Sequence, residues 1–434
     1  MTPLSTIAEH QGIRYFLISF ADLRGVQRAK LVPAASIDRI AAEGAGFAGF
    51  ATWLDMTPAD PDMFAIADPK SLIQLPWQPE VGWLVGDLVM KGKPVEQAPR
   101  RVLERQVQRA KELGLSIRTG VECEFFVLSP DGSAISDPSD HQSKPCYDQQ
   151  ALMRRYDLIT AICDGMLQLG WDPYQNDHED ANGQFEMNWG YSDALTTADR
   201  HAFFKYMVKS LAEKHELRAT FMPKPFSHLS GNGCHVHISA WSTSAEQNLF
   251  ADPDGELGLS RTAYQFMAGV LDHAEGLCAL TNPSVNSFKR INGAMTASGA
   301  TWSPNTISYT GNNRTHMIRI PDGGRFELRL GDGAANPYLL QAAIIAAGLD
   351  GIAGQKSPGR RLDSNMYTDP PPAGEVRHLP LTLLDALRAL RADSELSRAL
   401  GKPFVDAYVK LKEAEWGEYH SQISAWERKA TLDC

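Results

Sequence analysis

The run Gly231-Asn-Gly-Cys-His-Val-His-Ile-Ser239 constrains this chain more than any other stretch. Two glycines allow a tight turn, and His235, His237 and Ser239 then recur at every second position, so a strand would put all three side chains on one face. The same period marks Glu122-Cys-Glu124, Gln184-Phe-Glu186 and Arg325-Phe-Glu-Leu-Arg329. If these faces line one cavity, it collects carboxylates, imidazole and guanidinium groups on a sheet scaffold. Taken singly, Glu-x-Glu is more often the wet face of an edge strand, and His-x-His more often a satisfied hydrogen-bonded pair than a set of ligands. Four such strands together point to a site that needs cations.

A chain of 434 residues, 43% of them hydrophobic, can bury a large core in two domains or one elaborate one. Its formal net charge of -10, with no Lys/Arg-rich run, argues against nucleic acid or an anionic membrane as the main partner. Residues 1–10 lack the basic-then-apolar layout of a signal peptide. The longest apolar segment, 337–354, is interrupted by Gln341 and Asp350 and is too short to cross a bilayer. A cytoplasmic location is expected. Cys123, Cys146, Cys163, Cys234, Cys278 and Cys434 show no Cys-x-x-Cys spacing and are expected as reduced thiols. Cys123 and Cys234 alternate with ligand candidates and should pack the opposite strand face.

Strands are predicted over 14–22, 29–32, 71–77 and 81–90, with one helix over 35–43. Gly44-Ala-Gly-Phe-Ala-Gly49 matches a dinucleotide-binding turn in spelling, but it follows a helix instead of a strand. Lys91–Pro94 reads as the edge of a small domain, giving units 1–98 and 99–434. A helix begins at Pro99 and stops at Gly114, followed by a strand over 116–128. Further helices are expected over 149–169, 196–215, 260–280 and 337–354, the last of them buried. The C-terminal third reads as helical. Residues 282–315, rich in Asn, Gly, Ser and Thr, read as a long loop over the site.

The proposed cluster contains Glu122, Glu124, Glu179, Glu186, His235 and Glu327. Oxygen donors with one imidazole suit Mg²⁺ or Mn²⁺ rather than a structural zinc, and two or more ions are implied. Without metal, so many carboxylates would repel one another and raise their pKa values. Arg290, Arg314, Arg319, Arg325 and Arg329 fall within forty residues. Each alone fits a surface ion pair, but guanidinium groups are also natural partners of phosphate and carboxylate oxygens. Metals with arginines suggest phosphoryl transfer from a nucleotide, in an architecture without a Walker A loop.

These motifs, in this order, resemble the glutamine synthetase family along essentially the full chain. They are Val121–Phe126, His178-Glu179 with Gly183–Glu186, Phe221–Phe226 before Gly231–Ser239, Asn282–Arg290, Asn313-Arg314 with Ile318–Pro321, and Arg325–Arg329 with Ala335–Tyr338. The resemblance implies an α+β protein with an N-terminal β-grasp domain and a catalytic domain on a curved antiparallel sheet. It also implies a double-ring dodecamer with active sites between subunits. It makes Glu124, Glu179 and Glu186 ligands of a metal near the amino-acid substrate, and Glu122, His235 and Glu327 ligands of one near the ATP phosphates. Two or three ions per site are implied. It assigns His237, Ser239, Arg319 and Arg325 to the nucleotide, Gly231, Arg290 and Arg329 to L-glutamate, and Arg314 to the transferred phosphoryl group. ATP would convert the γ-carboxylate to an acyl phosphate that an amine displaces.

Two positions depart from the family pattern. Phe47–Ala51 puts Ala48 where ammonia-using members carry Asp, and Ala300–Pro304 puts Trp302 where their flap carries Glu. An apolar, aromatic pocket favours a small alkylamine, methylamine above all, over ammonium: a buried methyl contributes about 0.8 kcal/mol and Trp302 can face the cation. An ammonium-using enzyme with other capturing groups and a non-catalytic ring scaffold are the alternatives. Tyr367, in Asn365-Met-Tyr-Thr, resembles a tyrosine that some members adenylylate.

Overall fold

The computed structural model describes residues 2–372 and 374–434 and shows an α+β chain. Helix α1 (Leu4–Gln11) precedes strands β1 (Tyr15–Ala21) and β2 (Gln27–Pro33). Helix α2 (Ile37–Glu43), β3 (Ala45–Phe47), β4 (Met63–Ala67), β5 (Ile73–Leu75), β6 (Gln78–Met90) and β7 (Lys93–Pro94) follow. The strands form a seven-stranded sheet of order β2-β1-β6-β4-β3, with β5 and β7 also on β6. The central pair, β1 and β6, runs parallel.

Several expectations need correction here. Lys91–Pro94 closes a hairpin at the end of that sheet, in which Met90 pairs with Lys93. The strand expected over 71–77 shrinks to Ile73–Leu75, since a 3-10 turn over Pro69–Ser71, capped by Asp68, takes its start. Gly44–Gly49 holds β3, a strand paired with β4, and no phosphate turn. Helix α1 went unforeseen, its eight residues carrying only two buried side chains.

Helix α3 (Pro99–Glu112) joins this sheet to the rest of the chain. Buried Arg100 pairs with Asp87 at 2.6 Å, Asp68 at 2.9 Å and Asp199 at 3.2 Å, tying both parts together. Strand β8 (Leu115–Cys123) alternates in burial and is followed after one residue by β9 (Phe125–Leu128). The single strand expected over 116–128 is therefore two, and they belong to different sheets. The break falls at Glu124, whose N–H donates to the Gly233 carbonyl at 3.1 Å.

Helices α4 (Gln149–Arg154) and α5 (Tyr156–Gln168) lead to β10 (Pro173–His178), β11 (Gln184–Trp189), β12 (Ser192–Asp193), α6 (Ala194–Lys214), β13 (Arg218–Thr220) and β14 (Cys234–Ser242). Next come α7 (Arg261–Asp272), α8 (Ala274–Thr281), α9 (Ser287–Ile291), β15 (Tyr309–Thr310), β16 (Ile318–Arg319) and β17 (Phe326–Leu328). A six-stranded sheet runs β12-β8-β14-β17-β16-β15 and a four-stranded one β10-β11-β9-β13. The helices expected over 149–169 and 260–280 are each split, at Arg155 and His273, where the backbone leaves helical geometry. The loop expected over 282–315 contains α9 and β15.

Helix α10 (Pro337–Ala353) starts with proline in its first turn and is capped by the Asn336 side chain. Nearly every side chain in it is buried. No described helix is long and apolar enough to cross a membrane. Helices α11 (Leu383–Ala392), α12 (Ser394–Leu400), α13 (Lys402–His420) and α14 (Ala425–Thr431) complete the chain.

Candidate active site

Strand parity does what the sequence pattern requires. Register pairs Glu122 with His235 across β8 and β14, and His237 with Glu327 across β14 and β17. With Glu179 just after β10 and Glu186 on β11, the ligand candidates face a cavity of about 560 Å³. Its wall includes Glu122, Glu124, Asp177, Glu179, Asp180, Glu186, His235, Trp302, Arg314, Arg319, Glu327 and Arg329. All six proposed metal ligands are thus brought together. Asp177 and Asp180 are additions that sequence reasoning missed, although Asp177 precedes Glu179 by the same two-residue step that revealed the others.

Three donor sets have ligand atoms within 4.8 Å of one another: Glu122 with His235 and Glu327, Glu124 with Glu186 and His235, and Asp177 with Glu179 and Glu186. The first is the set expected near the phosphates. The other set, Glu124 with Glu179 and Glu186, emerges as two overlapping trios sharing Glu186. One reason is that Glu124 Oε2 already accepts from Gly233 N–H at 2.7 Å and Gln184 Nε2 at 2.9 Å, which leaves Oε1 free for a cation.

The residues fit hard divalent ions. Buried His235 leaves Nε2 without a protein partner. A Cβ on Gly233 would stand 2.8 Å from that nitrogen and 3.0 Å from Glu124 Oε1, so glycine keeps the donors' space open. Carboxylates with one imidazole are the donor set of Mg²⁺ or Mn²⁺.

Electrostatics divide the cluster. Burial, then the charges of Glu124 and Asp177, hold Glu179 well above the usual carboxylate range. Burial, then Glu122 and Glu179, do the same to Glu186. Asp177 is pushed up to about 6, chiefly by burial. For Glu122, burial acts upward but is outweighed by hydrogen bonds from His235 and His237, which leave it well below its ordinary value. Burial also opposes ionisation of Glu327, yet Arg329 and His235 win and lower it. Arg329 donates to Glu327 Oε1 at 2.7 Å, and Arg319 Nε stands 2.8 Å from Oε2 without hydrogen-bond alignment.

A second cavity, of about 520 Å³, shares Glu122 and Tyr174 with the first. His237, Ser239 and Arg325 line it, together with Trp241, under the Arg118 guanidinium at 4.0 Å from the ring centre. Of the four residues assigned to the nucleotide, Arg319 alone faces the metal cavity instead, drawn there by Glu327.

Gly231 and Arg290 lie behind the first cavity. A Cβ on Gly231 would stand 2.2 Å from the Pro223 carbonyl oxygen and 3.1 Å from Arg290 Cγ. Arg314 reaches the cavity from an exposed turn. Ala48 is exposed and lines neither cavity, so within one chain it does not contribute to the amine pocket. Trp302 does line the cavity, at a φ of 55° that only a held loop tolerates. Its N–H donates to the Tyr367 hydroxyl at 3.1 Å. Beside it, Asp180 accepts from Ser298 Oγ at 2.6 Å and from Ser230.

Residues 96–431 match the family model described as glutamine synthetase, catalytic domain. A glutamine synthetase of Rhizobium meliloti is 61% identical over 430 residues, 99% of either chain. A glutamate–methylamine ligase of Methyloversatilis universalis is 42% identical, covering 97% of this chain and 96% of its own. A solved structure described as a GmaS/ADP complex, conformation 1, superposes with a TM-score of 0.97 at 64% identity over the whole of both chains.

Proposed function

The chain belongs to the glutamine synthetase family, and from that premise we propose that it joins the γ-carboxylate of L-glutamate to methylamine, with ATP as phosphoryl donor. It is an ATP-dependent glutamate–amine ligase. The observation that carries the choice of amine is Trp302 on the cavity wall, at the position where the family resemblance implies a flap carboxylate in ammonia-using members. The similarity to a glutamate–methylamine ligase and to the GmaS structures, γ-glutamylmethylamide synthetases, supports it.

Glu122, His235 and Glu327 would hold one divalent ion and Glu124, Glu179 and Glu186 another. Such ions neutralise the phosphate charge and polarise the transferred group. In this reading His237, Ser239 and Arg325 hold the nucleotide in the second cavity, and Arg319 and Arg329 keep Glu327 oriented. Gly231 and Arg290 form the seat for glutamate with Arg329, and Arg314 meets the phosphoryl group as it moves. A carboxylate is a poor acyl donor, so the γ-carboxylate first becomes a γ-glutamyl phosphate. The amine then attacks the carbonyl carbon and phosphate leaves.

Before attack the amine is a cation and must give up a proton, for which the Asp180 carboxylate on the cavity wall is the acceptor in this reading. Asp180 supplies its counter-charge in place of the missing acidic pair, while the Trp302 ring covers the methyl group. Exposed Phe50, Trp53, Ile423, Trp426 and Leu432 are apolar surface that a ring assembly of the family type would cover. Steady-state kinetics with both amines test the assignment. Methylamine should give the higher kcat/KM. A higher value for ammonium would establish the second reading, which the glutamine synthetase relatives at 61% identity favour.

A further inference from the structure

Behind the carboxylate cluster, on the other face of the same two strands, lies a donor set of opposite chemistry. Cys123 on β8 and Cys234 on β14 are direct register partners, and both are fully buried free thiols. His201, on α6, reaches down onto them and is also fully buried. Its Nε2 lies 4.0 Å from Cys234 Sγ, and its Nδ1 has no partner at all. One donor atom from each of the three lies within 4.8 Å of the others.

A buried imidazole served only by a distant sulfur is costly, because its nitrogens have left water without gaining a full hydrogen bond. Packing alone gives no reason for it, since a small apolar side chain would fill the place more cheaply. A metal ion held between the two sulfurs and His201 Nε2 would replace that long contact with bonds, because ligand atoms about 4 Å apart are what metal–sulfur bonds of ~2.3 Å and metal–nitrogen bonds of ~2.0 Å span.

We propose that Cys123, Cys234 and His201 form a binding site for one thiophilic monovalent cation, copper(I). Two thiolates and an imidazole are soft donors, which favour copper(I) over Mg²⁺ or Mn²⁺. Zinc in a structural site takes four protein ligands, and no fourth Cys, His, Asp or Glu joins the group among the described residues. Binding releases two thiol protons to solvent and involves no change of oxidation state.

The test uses the reduced, full-length protein, incubated under nitrogen with copper(I) held by bicinchoninate and then desalted. Copper should stay with the protein at one ion per chain, with X-ray absorption showing two sulfur neighbours and one nitrogen. Cys123→Ser and His201→Asn should each lower retention. The proposal falls if either variant holds copper as well as the parent, or if the absorption spectrum shows sulfur alone or oxygen and nitrogen alone. Should Cys123→Ser not fold, the ligand shell of the parent protein decides by itself.

Discussion

Gly231→Ala should cost most of the activity while leaving a folded protein. The added Cβ would stand 2.2 Å from the Pro223 carbonyl oxygen, about 1 Å inside ordinary contact. Arg290 Cγ and Cδ, at 3.1 and 3.2 Å, close the other side, so the methyl cannot rotate away. The turn itself has to retreat. It is held by Asn232 N–H to the Pro223 carbonyl at 2.8 Å and by Gln184 Nε2 to the Gly231 carbonyl at 3.2 Å.

A retreat of about 1 Å breaks both bonds, which costs roughly 2 kcal/mol of stability. It also disturbs Gln184, which donates to Glu124 Oε2 at 2.9 Å, and so shifts a metal-ligand candidate. Displacement of that size near reacting groups lowers the rate by roughly 10²-fold. The assay is kcat/KM for glutamate at saturating ATP and amine, with the melting temperature measured alongside. Gly417→Ala is the control, because Gly417 lies in helix α13 with nothing within 4 Å of the new Cβ. That substitution should stabilise by up to about 1 kcal/mol. A soluble Gly231→Ala enzyme within about threefold of the parent would refute the crowding argument.

Trp302→Ala removes the apolar cover of about 0.8 kcal/mol per methyl, while the lost cation–π contact affects both cations alike, so the methylamine-to-ammonium ratio of kcat/KM should fall roughly fourfold. An unchanged ratio would take Trp302 out of amine selection. Chelation should lower the melting temperature and Mg²⁺ or Mn²⁺ restore it, through Glu179 and Glu186. Their raised folded pKa values mean that, without metal, stability is lost as pH rises above the unfolded value of 4.5, so the gain from Mg²⁺ should grow with pH and shrink in Glu186→Gln. His273 bridges Asp393 at 2.5 Å and Asp350 at 3.0 Å; burial opposes its charge, but both carboxylates raise its pKa above 6.5. Its contribution is complete below that unfolded value and lost as pH rises through the higher folded one, so His273→Gln should cost more melting temperature at about pH 6 than at about pH 9. An equal loss at both would show the imidazole to be neutral in the fold.

The period-two ligand rows were legible because a strand imposes them geometrically. Each of Glu122, Glu186, His235 and Glu327 falls on the inner face through parity alone. What parity hides is where a strand stops. Residues 116–128 are uniformly strand-forming, and the exit from one sheet at Glu124 follows from partners distant in sequence, Cys234 for Cys123 and Gln184 for Phe126. The helix breaks at Arg155 and His273 are similar, the second lying against carboxylates from α10 and from the junction of α11 and α12. Asp177 was readable from its spacing to Glu179, whereas Asp180 acquires its place only when Ser230 and Ser298 arrive. Ala48 shows a different limit, because a single chain leaves it far from the chemistry its motif suggests.

The one-residue passage between β8 and β9 ties chelation to mechanics. Glu122 projects from one sheet, Glu186 from the other, and Glu124 is the knuckle they share. In the proposed metal site, any twist of the two sheets against each other would change the bite of the chelate, so the stiffness of that knuckle would set the ionic radius that fits best. Mg²⁺ and Mn²⁺ differ little in charge but differ in size. A ligand that leans on either sheet would then tune the metal preference of the proposed site without touching a single donor atom.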